Sequence, residues 1–293
     1  LLSNFKDKTK ILGITPENIA KIAIDKGIPT IQKYFSKSLS NQIIKKYGRA
    51  KIVTATNVFA HIDNIKEIFS AVVNLLKDDG IFICECHYLY DLVKDIQYDT
   101  IYHEHMRYYS LSSLQYLFNL FGWQIIKAKK INTHGGSIRV YASKKNAYKV
   151  DKKYFELINL EKVNLFKKDI YKLESKVLKT KFDLYELLRE IKLNKRKIFG
   201  ISAPSRASTL VNFLGLNSSI LDYILEIKGS KKIGYYLPGT DIPIMDEKIL
   251  YLKQPEYALI LSWHISKEII YNLRKKGFKG SFIIPLPKPK IVN

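Results

Sequence analysis

Short apolar runs alternate with amphipathic segments along the first half of the chain. The runs Lys51–Ala55 and Ile81–Cys86 are continuous enough to predict buried strands. Apolar residues recur every three to four positions in Ile65–Leu76 and Leu111–Phe121, which predicts helices. Shorter patterns predict strands at Lys10–Ile14, Ile28–Ile31, Trp123–Lys129 and Ser137–Ala142 and helices at Glu17–Lys26 and Ser38–Tyr47. This alternation favours a mostly parallel sheet with helices on both faces.

The second half begins with a long polar segment and then repeats the alternation. Residues 146–194 lack Gly and Pro and space their apolar residues at three and four positions, which predicts a long helix or a helix pair. From Arg196 onward strands are predicted at Lys197–Ile201, Ile220–Leu225, Glu256–Leu261 and Ser281–Ile284 and helices at Ala207–Phe213 and Ser266–Lys276. We therefore predict an α/β fold with Rossmann-like domains at 1–145 and 196–293, joined by a helical linker at 146–195.

Positive charge is the main compositional feature of the chain. Its 49 Lys and Arg residues outnumber 27 Asp and Glu residues, which gives a formal net charge of +22. Such a charge makes nucleic acid one candidate partner. The lysines are dispersed, however, and no recognition-helix, zinc-finger or RNA-binding signature accompanies them. General basicity that attracts a small anionic substrate, such as a nucleotide diphosphate, is the better interpretation.

The sequence carries no targeting or membrane-spanning pattern. Its apolar runs fall short of the roughly 18 residues that a transmembrane helix needs, and its first residues lack the layout of a secretory signal. Cys84 and Cys86 lie on one predicted strand, where a disulfide is geometrically disfavoured. We expect free thiols in a reducing cytoplasm, and two cysteines without a second pair argue against a structural zinc site in this chain.

The polar run 98–109 concentrates groups that can move protons. His103 and His105 flank Glu104, and Tyr102 precedes them. Imidazoles, and carboxylates or phenols with shifted pKa values, transfer protons near neutral pH. Placing them between apolar segments costs stability, so we interpret the run as an active-site wall. A metal site at His-Glu-His is disfavoured because adjacent side chains point apart on a regular backbone.

Further polar residues follow the two predicted buried strands. Asn57 and His61 come after the first of them, and Glu85 and Tyr88 lie at the end of the second. Ligands bind at the carboxyl ends of strands in open α/β sheets, so one cleft could collect these side chains. Structural roles remain open: His61 could cap a helix, and Glu85 and Tyr88 could be ordinary strand-end residues.

Five motifs across almost the whole chain resemble one enzyme family in residue type and order. They are Asn57-Val-Phe-Ala-His61, Asp99-Thr-Ile-Tyr-His-Glu-His105, His134-Gly-Gly-Ser-Ile-Arg139, Gly200-Ile-Ser-Ala-Pro-Ser-Arg206 and Pro238-Gly-Thr-Asp-Ile-Pro-Ile244. The second and third together are the most specific. In these segments the chain resembles the S-adenosylmethionine-dependent sugar C-methyltransferases, which act on nucleotide-linked 4-keto deoxysugars.

The resemblance implies a mechanism and a set of catalytic residues. A base removes the weakly acidic proton from the carbon beside the sugar ketone, and the enolate takes the methyl group of S-adenosylmethionine. His105 is expected to be the base and Tyr102 the donor to the enolate oxygen. Glu104 would orient the base or hydrogen-bond the sugar, and His61 could assist proton transfer.

The resemblance also implies residues for the two substrates. A nucleotide-diphosphate sugar is the expected partner, and the guanidinium fork of Arg139 is expected to bind its diphosphate. The other substrate-binding candidates are Tyr88, Ser205 and Arg206, and the candidates for S-adenosylmethionine are Thr15, Asn57 and Glu85. A salt bridge to a neighbour is the alternative role for Arg139, and anion capping or a solvated position is open for Arg206.

The sequence departs from the family pattern on the cofactor side. The glycine-rich loop after the first strand is missing, and so is the Cys-rich zinc module that precedes it in relatives. Thr15 stands where an acidic residue usually binds the cofactor ribose, and His87 stands where relatives usually have Pro. We therefore expect a chain that begins after the first strand, binds the cofactor weakly or not at all, and would have zinc only in the missing module. The alternative is a non-catalytic relative that binds a sugar nucleotide or a protein partner.

Overall fold

The computed structural model describes the backbone of residues 1–293 and the side chains of residues 1–165 and 169–293. The chain divides into two units. The first contains Leu1–Glu85, Leu114–Ala128 and Arg139–Tyr154, and the second contains Cys86–Ser113, Lys129–Ile138 and Phe155–Asn293. The polar run 98–109 therefore belongs to the same unit as the C-terminal half of the chain.

The first half of the chain has the predicted alternation of strands and helices. Its strands are β1 (Gly13–Thr15), β2 (Thr30–Gln32), β3 (Ala50–Thr56), β4 (Leu76–His87), β5 (Trp123–Ile131) and β6 (Ser137–Lys144). Its helices are α1 (Ile19–Asp25), α2 (Lys37–Tyr47), α3 (Ile65–Leu75), α4 (Leu89–Lys94) and α5 (Leu111–Asn119). The strands form two sheets: β1 pairs with β2 in parallel, and the other four lie in the order β3-β4-β6-β5.

The prediction that Lys51–Ala55 is a buried strand is wrong in its burial. β3 lies at the edge of the four-stranded sheet, and Ile52 in it is 56% exposed. The adjacent β4 has a strand on each side, and its Phe82 is fully buried against Phe69 of α3, with 5.9 Å between ring centroids. Cys84 and Cys86, also on β4, are buried and form no disulfide, as predicted.

The predicted helix pair and second α/β region are both present. The helices are α6 (Lys152–Glu161), α7 (Leu173–Leu193), α8 (Ser205–Leu214), α9 (Lys248–Lys253) and α10 (Ser266–Lys275). The strands are β7 (Ile198–Ile201), β8 (Tyr223–Glu226), β9 (Ile244–Asp246), β10 (Tyr257–Ile260), β11 (Ser281–Ile284) and β12 (Lys290–Val292). No helix in the described part of the chain is long and apolar enough to cross a membrane.

The six strands of the second half form one sheet in the order β12-β11-β10-β7-β8-β9. All neighbours are parallel except β11 and β12. From β7 the chain proceeds to β8 and β9 on one side and returns to β10 and β11 on the other. The carboxyl ends of β7 and β10 therefore mark the topological switch point, where open α/β sheets bind ligands.

Candidate active site

Tyr102 and His105 form a hydrogen-bonded pair in the loop that follows the 3-10 turn Tyr98–Thr100. The Thr100 carbonyl lies 2.9 Å from His105 Nδ1, and a carbonyl can only accept, so Nδ1 carries the ring hydrogen. The Tyr102 hydroxyl lies 3.1 Å from His105 Nε2 and donates to it. The unprotonated, basic nitrogen of the neutral imidazole is therefore Nε2.

The Tyr102 phenol keeps its proton at neutral pH. Burial raises its pKa, and the nearby Glu104 carboxylate raises it further, while the positive charge of Arg206 opposes both. The pair thus combines a hydroxyl donor with an imidazole acceptor in one half-buried place. Such a pair can remove a proton and stabilise a developing negative charge.

A buried ion pair fixes the loop that carries this pair. The Asp99 carboxylate is fully buried and accepts hydrogen bonds from Arg206 Nε at 2.8 Å and Nη2 at 3.0 Å. Trp263 Nε1 donates to the same carboxylate at 2.8 Å. Asp99 immediately precedes Thr100, whose carbonyl holds His105, so the ion pair positions the imidazole through a single peptide unit.

The partners of Asp99 come from the switch point of the six-stranded sheet. Arg206 lies in the first turn of α8, just after β7, and Trp263 follows β10. The two strand ends are linked by a hydrogen bond of 2.6 Å between Ser202 Oγ and Ser262 Oγ. The place where such a sheet usually binds a ligand therefore holds the loop of Tyr102 and His105.

Two more imidazoles lie in the electrostatic neighbourhood of Arg206. Burial lowers the pKa of His87 to about 4, helped by the charges of Arg206, His105 and His134 and opposed by the hydrogen bond that His87 donates to Gln97. Burial also lowers the pKa of His264 to about 4, again with the charges of Arg206, His134 and His87. The sequence marked His87 as a departure from the family's usual Pro and did not assign either imidazole to the site.

These two pKa values predict a loss of stability on acidification. Their unfolded-state pKa is about 6.5, so the unfolded chain binds more protons as the pH falls from about 6.5 to about 4. At about pH 5 His87 should remove up to about 2 kcal/mol of the free energy of unfolding. The more exposed His264 should remove less, because solvent screens its interactions. Urea titrations at several pH values check this, and the variant His87→Gln/His264→Asn should show a shallower decline. An unchanged slope would contradict the assignment.

The glycine pair after His134 allows close packing around Gln97. Gly135 and Gly136 have φ values of 89° and 126°, and a Cβ on Gly135 would lie 2.5 Å from Gln97 Oε1. Gln97 is fully buried. The glycines therefore do more than form a tight turn, because they also make room for a buried side chain.

Gly135→Ala is expected to lower the free energy of unfolding by about 2–3 kcal/mol, because it adds a clash to an unfavourable φ. Urea unfolding of Gly229→Ala provides the matched control. Gly229 has a similar φ of 86° but open space around its Cβ position. Equal losses in the two variants would show that packing on Gln97 contributes nothing.

The predicted residues of the first unit form a separate polar group. Arg139 donates to the buried Glu85 carboxylate, with 2.7 Å from Nε and 2.6 Å from Nη2 to Oε2. Asn57 has a φ of 54°, and its backbone N–H donates to the Glu85 carbonyl at 2.7 Å. Thr15 ends β1, where its hydroxyl accepts from the Glu17 N–H at 3.3 Å. The salt bridge left open for Arg139 is thus present.

Of the three other candidates, one is buried in a hydrogen-bond network and two are exposed. Tyr88 is 1% exposed and its hydroxyl donates to the buried carboxylate of Glu161 at 2.9 Å. Glu161 also accepts from the backbone N–H groups of Leu111 and Ser112, which open α5. Ser205 is exposed at the start of α8, and His61 is exposed in the 3-10 turn Phe59–His61. Asn64 caps α3, which leaves His61 outside the cap.

Metal ligation finds no support in the described side chains, which contain no group of three or more His, Cys, Asp or Glu residues placed to hold an ion. Asp99, Trp263 and His264 are the residues of this site that sequence reasoning did not assign. Asp99 lies inside a motif that was recognised, but its partner is 107 positions away along the chain.

Comparison with known proteins finds relatives for both halves of the chain. Residues 132–287 match the family described as C-methyltransferase C-terminal domain, and residues 5–128 match the family described as methyltransferase domain. Over 291 residues the chain is 32% identical to C-methyltransferase NovU from Streptomyces niveus, in an alignment that covers 97% of this chain and 69% of NovU.

Two solved structures align with about half of this chain. An S-adenosylmethionine-dependent methyltransferase from Clostridium acetobutylicum is 17% identical, with 49% of this chain and 79% of that protein covered and a TM-score of 0.38. The YcgJ protein from Bacillus subtilis is 14% identical, with 49% of this chain and 86% of that protein covered and a TM-score of 0.36.

Proposed function

The chain belongs to the S-adenosylmethionine-dependent C-methyltransferases, and we propose that it methylates the carbon beside the ketone of a nucleotide-linked 4-keto sugar. The observation that carries the proposal is the Tyr102–His105 hydrogen bond, which joins a neutral phenol to an imidazole with an unprotonated Nε2. A carbon acid beside a carbonyl needs a base for its proton and a donor for the oxygen that gains charge.

His105 Nε2 accepts the proton of the reacting carbon, and the electrons of the broken C–H bond form the enolate. Tyr102 turns its hydroxyl hydrogen from Nε2 to the substrate carbonyl oxygen, so one rotation frees the base and stabilises the enolate oxygen. When bound, S-adenosylmethionine would supply the methyl group that the enolate carbon takes, with release of its neutral thioether and restoration of the ketone. The imidazolium keeps its Nδ1–H on the Thr100 carbonyl and releases the Nε2 proton to solvent.

Two further residues assist this pair in the proposal. Glu104 is exposed beside Tyr102 and can accept a hydrogen bond from a sugar hydroxyl or orient the base. His61 is exposed in the first unit and can carry a proton to solvent. Both side chains are exposed and can form hydrogen bonds with a substrate or with water.

Polar groups of the first unit have the hydrogen-bonding capacity to bind S-adenosylmethionine. The Thr15 hydroxyl and the Asn57 amide follow parallel strands and can hydrogen-bond ribose hydroxyls or the amino-acid end of the cofactor. The Glu85 carboxylate is engaged by Arg139. The proposed contribution of Glu85 is therefore made by its backbone carbonyl, which accepts from the Asn57 N–H and holds the backbone there. When bound there, the cofactor supplies an electrophilic methyl group.

In the proposal, positively charged groups and a helix N-terminus bind the anionic substrate that receives the methyl group. The formal net charge of +22 attracts a nucleotide diphosphate. Ser205 exposes its hydroxyl at the N-terminus of α8, where backbone N–H groups favour anions. Arg139 has a side chain that is 38% exposed and can also meet a phosphate oxygen, whereas Arg206 acts through Asp99.

Mass spectrometry of reaction mixtures tests this function. A longer form with the glycine-rich loop restored is incubated with S-adenosylmethionine and a set of nucleotide-linked 4-keto deoxysugars, with the matching 4-hydroxy sugars as controls. We expect a mass gain of one methylene in a keto sugar, with fragments that place it on carbon. Methylation of the hydroxy controls, or of oxygen, would contradict the proposal.

A further inference from the structure

His87 has a hydrogen-bond acceptor that the described residues do not use. Gln97 Nε2 donates to the carbonyls of Asp91 and Gly135, at 3.3 and 2.6 Å, so Gln97 Oε1 faces His87 Nε2 at 3.1 Å. An amide oxygen can only accept, which places the ring hydrogen of His87 on Nε2. His87 Nδ1 is then a lone pair on a partly exposed ring, with no partner in the described part of the chain.

His264 offers the opposite group. Arg206 Nη1 lies 2.8 Å from His264 Nδ1, and a guanidinium can only donate, so Nδ1 holds a lone pair and Nε2 carries the hydrogen. Asp99 holds this guanidinium from the other side, which fixes its direction. The Nε2–H of the partly exposed His264 has no acceptor among the described side chains and backbone groups.

The two imidazoles attach to one segment of the second unit, just before the Tyr102–His105 loop. His87 is hydrogen-bonded to Gln97, and His264 is linked through Arg206 to Asp99. The charge of His87 also acts on His264. His87 further interacts with His105, whose Nε2 is paired with Tyr102. An uncharged acceptor and an uncharged donor therefore lie beside the proposed proton-transfer pair. The low pKa of each keeps both rings neutral at physiological pH.

We propose that His87 Nδ1 and His264 Nε2–H bind the hydroxyl-bearing sugar ring of the acceptor substrate and so determine its specificity. A hydroxyl group both donates and accepts, so it satisfies both imidazoles. A phosphate at neutral pH mainly accepts hydrogen bonds. Its oxygens would therefore face the His87 Nδ1 lone pair without a hydrogen between them, which is unfavourable. The inference rests on the proposed sugar-nucleotide function, and it assigns these residues to the sugar instead of the diphosphate.

Asparagine and glutamine variants separate the two nitrogens of each ring, because an Asn amide lies near the position of Nδ1 and a Gln amide near that of Nε2. His87→Gln keeps a donor to Gln97 but removes the acceptor, and His264→Asn keeps an acceptor for Arg206 but removes the donor. The matched controls are His87→Asn and His264→Gln, which retain the proposed substrate-facing group.

Calorimetry with two probes tests the assignment on the full chain. The probes are a thymidine-diphosphate-linked 4-keto deoxysugar and free thymidine diphosphate. His87→Gln and His264→Asn should each weaken binding of the sugar nucleotide about tenfold, the effect of one lost hydrogen bond. Their affinity for thymidine diphosphate should stay within about twofold of wild type. The control variants should bind the sugar nucleotide more tightly, His87→Asn than His87→Gln and His264→Gln than His264→Asn.

The outcomes distinguish this inference from the function on which it rests. Equal weakening for both probes would place the imidazoles on the nucleotide and overturn the inference. Unchanged sugar-nucleotide affinity in both variants would also overturn it, while leaving the proposed function intact. Wild-type protein that binds neither probe would refute the sugar-nucleotide function and this inference together.

Discussion

Replacing His105 by alanine is expected to abolish methyl transfer and leave the fold intact. General-base catalysis contributes about a hundred- to ten-thousandfold, so the turnover number should fall by about a thousandfold or more. The ring is only partly buried, and its two hydrogen bonds lie within the loop of residues 100–108. The free energy of unfolding should therefore change by about 1 kcal/mol, which separates lost chemistry from lost structure.

His103→Ala provides the matched control for this result. His103 is an exposed histidine two positions away, and the proposed mechanism gives it no role. It should retain activity close to wild type, measured as product formed per unit time at saturating substrates. A His105→Ala protein with near-normal turnover would assign the base to another group, and equal losses in both variants would point to a disturbed loop.

Replacing Asp99 by asparagine is expected to destabilise the protein by about 3–5 kcal/mol. The substitution keeps the shape of the side chain but leaves the Arg206 guanidinium, 8% exposed, without its compensating charge. The loop that carries His105 would also lose its anchor, so activity should fall in the fraction that remains folded. Urea unfolding measures the first effect, and turnover of folded protein measures the second.

Asp183→Asn is the control for the Asp99 result. Asp183 pairs with Lys179 at 2.7 Å on the exposed face of α7, in the same i,i+4 register found in isolated helices. Such surface pairs contribute at most about 0.5 kcal/mol. A loss at Asp99 no larger than the loss at Asp183 would mean that the Asp99–Arg206 pair does not hold the loop.

Local patterns predicted the regular elements where burial matched periodicity. Strands such as Ile81–Cys86 and Ser281–Ile284 are apolar because their side chains are buried or half-buried. The second was predicted with its observed ends, whereas the first begins earlier in the structure, at Leu76. β3 was mistaken for a buried strand because an edge position is set by tertiary topology. Elements such as α4 and β12 contain too few residues to show a helical or strand periodicity in the sequence.

The candidate site was predictable only in part for a related reason. Tyr102 and His105 are three positions apart, so a motif could reveal them together. The Asp99–Arg206 pair and the tautomers of His87 and His264 depend on contacts between distant segments, which no spacing in the sequence encodes. Arg206 was singled out as a ligand for substrate, and the structure instead shows a buried partner of Asp99.

Proton removal by the Tyr102–His105 pair can be measured directly as hydrogen exchange in deuterium oxide. Proton NMR follows the loss of the carbon-bound hydrogen beside the substrate ketone. The measurement reports the Tyr102–His105 pair without requiring methyl transfer to be completed. We expect wild-type protein to speed deuterium entry at the carbon that becomes methylated, and His105→Ala to leave the exchange at its uncatalysed rate. Deuterium entry at the uncatalysed rate with wild-type protein, under conditions in which the same protein transfers methyl groups, would contradict it.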